Sequence, residues 1–549
     1  MPIASLRSGH EEVSRTALLP LIGLALLAGL GHLESAIAIT GGASRIHERS
    51  ALIAPSDEAS PKGFFSSGAA PRDLESGSGL RFRGARAEPE PRLSGPINPH
   101  TSDVFSYQLA QFQLPPSTGD GKPAALELPK RLTYQYVYGS ESTLLYRRDR
   151  DLNKQVRDNS NVVAPNVNGV VIYRPTDWLE TTLELIFERE VPIHEEREVT
   201  LPNGEVVRAL RRRPTLLVDQ AFVTFREFTA PFELSVGRRN YEDERRSLFD
   251  TSLDVVSATL RQGRFRAEFF AGREVWTDLD LAPKSQEAKD RINTYVAYAE
   301  WRGIEDLKVA GYAIYRNDWA QLEGKPRLYG VRALGTPSTR LNYWGEFAFV
   351  RGSDEANRKL TGYSWDVGAT YRFENLPFNP NVTLGYAYGS GDSDPTSDRN
   401  REFRQSGLHS NERRFAGIPQ FKVFGEVLDP DLTNIQILTI GLGLRPTPGF
   451  SIDLVYHRYR LNHLADSIRN SAITAQMAQV DTHLSKFVGE GLDLVLGFRS
   501  LFGIRRLGLD FRLGWFKPGK AFIRNEGDDV DPILRNADKG IAIVAKIWW

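Results

Sequence analysis

From about residue 132 onward, apolar and polar side chains alternate with a period of two, in short stretches separated by turns. The clearest stretch is 363–373, YSWDVGATYRF. Tyr363, Trp365, Val367, Ala369, Tyr371 and Phe373 form one row; Ser364, Asp366, Gly368, Thr370 and Arg372 form the other. Successive side chains of a strand point to opposite faces, so the pattern predicts a strand with one apolar and one polar face. Its length suits a tilted strand crossing a bilayer. The pattern recurs at 307–316, 341–350, 382–389, 492–499 and 507–515.

In a soluble sandwich the apolar row would face a core and the polar row water. Here the polar rows mix Gly, Thr, Asp and Arg, and aromatics close the apolar rows. Both features fit a barrel turned inside out, with aromatic girdles at its two interfaces. The fold class expected is all-β, a transmembrane antiparallel β-barrel. About 420 residues at roughly 23 per strand with its connection give ~18 strands, an even number. The last stretch, GIAIVAKIWW, should pair with the first strand and leave no edge. Ile541, Ile543, Ala545, Ile547 and Trp549 would then face lipid, and Lys546 the lumen. Long charged connections around 190–214, 389–420 and 462–482 are expected outside. The segment 464–479, LADSIRNSAITAQMAQ, predicts a short amphipathic helix.

The N-terminal part reads differently. Arg7 and Arg15 precede an apolar run at 17–30, and Ser35-Ala36-Ile37-Ala38 offers small residues at a cleavage site. Residues 1–38 therefore read as a secretory signal peptide. Residues 39–128 are rich in Gly, Ser, Pro, Arg and Glu, a composition that predicts disorder. The barrel is assigned to 129–549.

Composition narrows the function. With 69 basic and 69 acidic residues the net charge is zero, so nothing points to nucleic acid, and any electrostatic role must be local. There are no cysteines, which removes thiol catalysis and Cys metal sites. His194 in HEEREV lacks the second histidine of a zinc HExxH site. No GxSxG or P-loop occurs, so no cofactor, metal or catalytic residue is assigned.

The cations are more informative. Lys308, Arg316, Arg372, Arg499, Arg512 and Lys546 fall on polar rows, accompanied by Glu346, Asp366, Asp493 and Asp510. A charge on the lipid face costs ~2–4 kcal/mol at the midplane, so these side chains are expected to line the lumen. They read either as a solvated lining of mixed ion pairs or as a ladder of cations that favours anions. Arginines also cluster at strand ends, in GRRNYEDERR (237–246), REFRQSGLHSNERRF (401–415) and YHRYR (456–460). Several guanidiniums together suit a carboxylated sugar chain, because Arg pairs with carboxylates in a bidentate fashion. In FSIDLVYHRYR, however, Arg458 and Arg460 share parity with Ile452 and Leu454. Strict alternation would aim both at lipid unless a bulge switches the face.

The string FRQSGLHSNERRFAGIPQFKVFGEVLDPDLTNIQILTIGLGLRP followed by SIDLVYHRYR resembles the alginate export family of bacterial outer-membrane barrels. GYAYGSGD and VGRRNYEDERRSLFD are similar to that family too. The resemblance spans roughly residues 130–549 and implies an 18-stranded monomeric barrel passing an anionic exopolysaccharide outward. It implies outer-membrane lipid around the barrel, periplasmic export partners and an arginine-rich constriction gated by loops. By motif, the constriction falls to Arg404, Arg414, Arg458 and Arg460, then to Arg238 and Arg245. Uptake of small anions and a barrel enzyme remain as alternative readings of the residues.

Overall fold

The computed structural model describes residues 133–548, except 154–159, 190, 196–197, 201–205, 209–213, 230, 274–291, 320–323, 476, 478–484 and 526–533. The expected signal (1–38), the segment 39–128 and Trp549 lie outside the described residues.

Eighteen long antiparallel strands form one sheet that closes on itself. They are β1 (Thr133–Arg148), β2 (Ser160–Thr176), β3 (Leu179–Glu188), β4 (Thr215–Thr229), β5 (Phe232–Glu242) and β6 (Asp250–Gln262). Next come β7 (Phe265–Arg273), β8 (Ile292–Ile304), β9 (Leu307–Asp318), β10 (Lys325–Ser338), β11 (Leu341–Ser353) and β12 (Tyr363–Arg372). The last six are β13 (Asn381–Gly389), β14 (Ile435–Thr447), β15 (Phe450–Leu461), β16 (Phe487–Arg499), β17 (Gly508–Pro518) and β18 (Gly540–Trp548). β1 pairs with β2 on one side and with β18 on the other, from Glu141↔Trp548 to Arg148↔Ile541. Closure gives backbone groups in the wall a partner, which a sheet in lipid requires.

Burial follows the predicted alternation. In β15, Ser451, Asp453, Val455, His457 and Tyr459 are buried, while the residues between them face outward. The outward rows expose Val367, Leu384, Leu442 and Leu454. Two aromatic belts bound this apolar surface. Tyr295–Tyr315, Tyr329–Phe349 and Trp365–Tyr388 stack near the end with long connections. Tyr371–Phe373, Phe450–Phe498 and Trp178–Phe225 pack near the end with short turns. Tyr363 and Phe373, ten residues apart, span about 33 Å of strand, or ~25 Å at a ~40° tilt, the height of a lipid-facing band.

Two connections from the long-connection end fold into the lumen. The first, 243–249, buries Asp243, Arg245, Leu248 and Phe249. The second, 390–434, is long and buries an apolar stripe that includes Phe421, Phe424, Val427 and Leu428. The two meet where Phe249 bridges Leu408 and the Asp250 amide donates to the Leu408 carbonyl at 2.7 Å. The longer loop then descends. The Ile418 amide donates to Ser451 Oγ at 2.8 Å, one residue into β15 from the short turn that precedes it. Glu412–Arg413 and Phe421–Lys422 pair as the loop goes down and returns. On the way back Tyr459 Oη donates to the Phe424 carbonyl at 2.9 Å. Gly425 beside it has φ 105°, and a Cβ there would lie 2.1 Å from Tyr459 Oη, so only glycine fits.

The helix expected within 464–479 is absent from its described residues. Asn470 adopts φ 49°, which breaks a right-handed helix. The backbone is instead engaged by neighbouring loops: the Ala472 amide donates to Leu428, the Thr474 amide to Arg150, and Arg469 accepts from Asp431. Amphipathic spacing was present, but tertiary hydrogen bonds won.

Candidate functional site

The polar strand rows and the two lumen loops bring charged groups together inside the barrel. At one centre Asp366 of β12 accepts from Arg245 of the 243–249 loop and, at 3.0 Å, from Arg413 of the long loop. Trp344 of β11 donates its indole N–H to the same carboxylate at 2.8 Å. Both guanidiniums lie over the Trp344 ring, at 4.6 and 5.7 Å. Two cations thus share one anion on an aromatic platform. Arg413 Nε and Nη1 and Arg245 Nε are buried with no hydrogen-bond partner among the described residues.

A second centre is built on Arg332 of β10. Its guanidinium donates to Asp243 at 2.6 Å, Ser247 at 2.7 Å and Glu346 at 2.8 Å. Tyr312 donates to Glu346 at 2.7 Å. Burial pushes the Asp243 carboxyl up, but Arg332 and the Phe249 and Leu248 amides more than offset this and hold it below the usual range. This centre ties the short loop to the wall.

A third centre ties down the long loop. Arg512 of β17 donates to Glu426 at 3.1 Å and to Glu412 at 3.4 Å. Burial raises the Glu412 carboxyl; Arg512, Lys546, Lys422 and Arg246 together pull it well below the carboxylate range. Lys422 pairs with Asp429 at 2.9 Å.

Two histidine clusters bear on the enzyme reading. Ser406 Oγ lies 3.4 Å from His409 Nδ1, and His409 Nε2 lies 2.9 Å from Asp431. The Ser406 hydroxyl is already engaged: it donates to the Leu248 carbonyl and accepts from the Leu408 amide. It clamps the two loops together. His457, 3.0 Å from Thr439 and 3.3 Å from Asp493, is fully buried beneath the long loop. Neither presents a nucleophile to a substrate. Among the described residues no group of His, Asp or Glu is arranged to hold a metal.

With this geometry in view, the relationship to known proteins is direct. The description "Alginate export" matches residues 126–534. The chain belongs to the alginate export family. Similar curated proteins are two named alginate production protein AlgE. That of Pseudomonas syringae pv. tomato is 22% identical over 466 residues, covering 71% of this chain and 91% of the relative. That of Pseudomonas aeruginosa is 24% identical over 367 residues, covering 55% and 71%. Among solved structures, Pseudomonas aeruginosa OccK9 (OpdG) is similar with a TM-score of 0.49 and 11% identity, covering 76% of this chain and 97% of that one. The protein is therefore a bacterial outer-membrane barrel of a transport family.

In this alginate export barrel the residues singled out by sequence divide into three groups. Arg245 lies in the lumen at the Asp366 centre. Arg404 is buried at the long-connection end and pairs with Glu355 at 2.6 Å, and Arg414 is half-buried on the descending loop beside Phe415. Of the row cations, Lys308 pairs with Glu244 and Arg512 with Glu426. Arg499 pairs with Asp510 at 2.9 Å and stacks on Trp548 at 4.3 Å. Arg316 packs at Gly407 of the long loop, Arg372 donates to the Thr339 carbonyl at the short-turn mouth, and Lys546 sits on the inner row of β18.

The remaining three arginines differ in placement. Arg458 and Arg460 are exposed on the outer row of β15 with Leu454, so they do not form a constriction. The register irregularity beside them comes between Tyr459 and Arg460 in the pairing with β16, and β15 keeps its alternation through Leu461. Arg238 shares parity with the exposed Leu234 and Val236, but it follows Gly237 at φ 125° and its side chain is buried, 3.7 Å from Asp254. Its neighbour Arg239 shares the lumen row with Tyr241 and lies over the Tyr241 and Phe222 rings.

Sequence reading missed Arg332, because the inner row of β10 mixes it with Leu328 and Gly330 and hides the alternation. The exposed Val331 beside it was the available signal. Arg413 was visible within NERRF, but which of its two arginines turns to the wall depends on the loop's path.

Proposed function

We propose that the protein is a passive outer-membrane channel that exports an anionic exopolysaccharide of the alginate type. The observation that carries this reading is the Asp366 centre. Arg245 and Arg413 converge on one carboxylate, and three of their buried nitrogens (Arg245 Nε, Arg413 Nε and Nη1) have no acceptor among the described residues. A buried donor left unsatisfied costs about 1–3 kcal/mol, which a passing carboxylate would relieve. Guanidinium pairs with carboxylate in a matched fork, so a uronate fits better than a neutral sugar.

The lining is a network of ion pairs rather than a row of bare cations, and this suits transit. Arg245, Arg413, Arg332, Arg404 and Arg512 already hold protein carboxylates, so a polymer carboxylate exchanges with them instead of being trapped. Many exchanges of moderate strength let a chain slide. Arg404 extends the path toward the long-connection end, and Arg414 follows Arg413 on the descending loop. The barrel works as a monomer and needs no cofactor; periplasmic partners supply direction.

The test is ion selectivity in planar bilayers. Arg245→Gln with Arg413→Gln should lower the anion-over-cation permeability ratio severalfold. An unchanged ratio would remove this centre from the conduction path.

A further inference from the structure

The two arginines that the structure moves out of the pore lie on the surface facing the membrane. Arg458 and Arg460 are exposed on the outer row of β15, near the end with long connections. Arg460 is in register with Gln436, Tyr388 and Trp365, so it continues the row of the Trp365–Tyr388 stack in the aromatic belt. Below them the same row is Tyr456, Leu454, Ile452 and Phe450, which is lipid-facing surface. Arg458 therefore sits at the rim of the hydrocarbon, not at its centre. There an outward arginine costs only about 0–1 kcal/mol, and its charge reaches the head groups.

The surroundings favour an anion. Opposite Arg458 on β16 stands Glu490, and opposite Glu490 on β17 stands the exposed Lys517. Glu490 is the one carboxylate of this patch among the described residues, and Tyr456 Oη already donates to it at 3.0 Å. Arg458 lies over the Phe487 ring at 5.3 Å, which holds its guanidinium flat against the wall without using its N–H donors. Neither Arg458 nor Arg460 pairs with a carboxylate among the described residues. The patch is thus three cations to one engaged anion, above an apolar wall that would take acyl chains.

In bacterial barrels long connections lie outside, so this rim meets the outer leaflet. We infer that Arg458, Arg460 and Lys517 form a binding site for the phosphates of the outer-leaflet glycolipid, with its acyl chains lying along β14–β16. Clusters of Arg and Lys at a membrane surface recognise phosphorylated lipid heads in this way. The inference uses the barrel's placement in the outer membrane and is independent of which polymer passes through the lumen.

The experiment is retention of lipid by the full-length refolded barrel in detergent, read by native mass spectrometry. The probes are diphosphoryl lipid A, the same lipid without its phosphates, and phosphatidylglycerol. The natural protein should hold diphosphoryl lipid A at least about tenfold more tightly than the dephosphorylated form, in line with several surface cations acting together. Arg458→Gln with Arg460→Gln should lose most of that preference, and Arg458→Lys with Arg460→Lys should retain it. Arg505→Gln with Arg506→Gln, in the turn at the opposite end, should leave it unchanged. Heat-modifiable electrophoretic migration checks that each variant is folded. Equal retention by the glutamine variant, indifference to the phosphates, or equal displacement by phosphatidylglycerol would overturn the site. So would loss of oligouronate block in the glutamine variant, because it would return these arginines to the pore.

Discussion

At the scale of the residue, the lumen is organised by arginines that share carboxylates. Removing the shared anion and removing the cations should act in opposite directions. Asp366→Asn leaves Arg245 and Arg413 without a counter-charge, so anion selectivity should rise where the double glutamine variant lowers it. Breaking a buried pair this way costs about 3–5 kcal/mol, so the Asp366→Asn barrel should also unfold at lower urea concentration. Gly425→Ala probes the loop's anchor: a forced positive φ costs about 1–3 kcal/mol, and the clash with Tyr459 adds to it. Higher open-channel noise with an intact barrel is the expected result. Arg458 and Arg460 show the limit of motif reasoning at this scale. Alternation along FSIDLVYHRYR aimed both arginines outward, while family resemblance placed them in the pore; the structure follows the alternation.

At the scale of the element, the wall was legible and the lumen loops were not. Alternation located strands such as β12 and β13 almost to the residue, because lipid on one side and polar lining on the other impose a period of two. The loop 390–434 carries no such constraint. Its path depends on contacts made far away in sequence, such as the Ile418 amide on Ser451 and Arg512 on Glu412. Those contacts predict an acid response. Glu412 and Asp243 have carboxyls held below their ordinary range in the folded protein. A depressed folded pKa stabilises the packed loops above the ordinary carboxylate range near pH 4 and loses that contribution as pH falls through the folded value. Single-channel conductance should therefore stay constant from neutral pH down to about pH 4 and increase below it. An increase on the alkaline side instead would separate the loops from these carboxylates. Replacing 409–424 with a short Gly-Ser linker should raise conductance severalfold at neutral pH while heat-modifiable migration persists.

At the scale of the whole molecule, a closed barrel of eighteen strands fixes what the chain can do. Closure of β1 on β18 removes the sheet edge, the aromatic belts set its depth, and the connections 243–249 and 390–434 bury charged side chains inside it. That the chain is a barrel was readable from polar rows that would make no sense in a soluble core. The central claim is that a polyanion moves through this barrel. It is tested most directly by recording single channels in planar bilayers while adding an oligouronate or a neutral oligosaccharide of the same length. The oligouronate should block the current in discrete events that shorten in the Arg245→Gln, Arg413→Gln variant, and the neutral sugar should block weakly in both. Equal block by the two sugars, or oligouronate events unchanged by the double substitution, would contradict a channel built for an anionic polysaccharide.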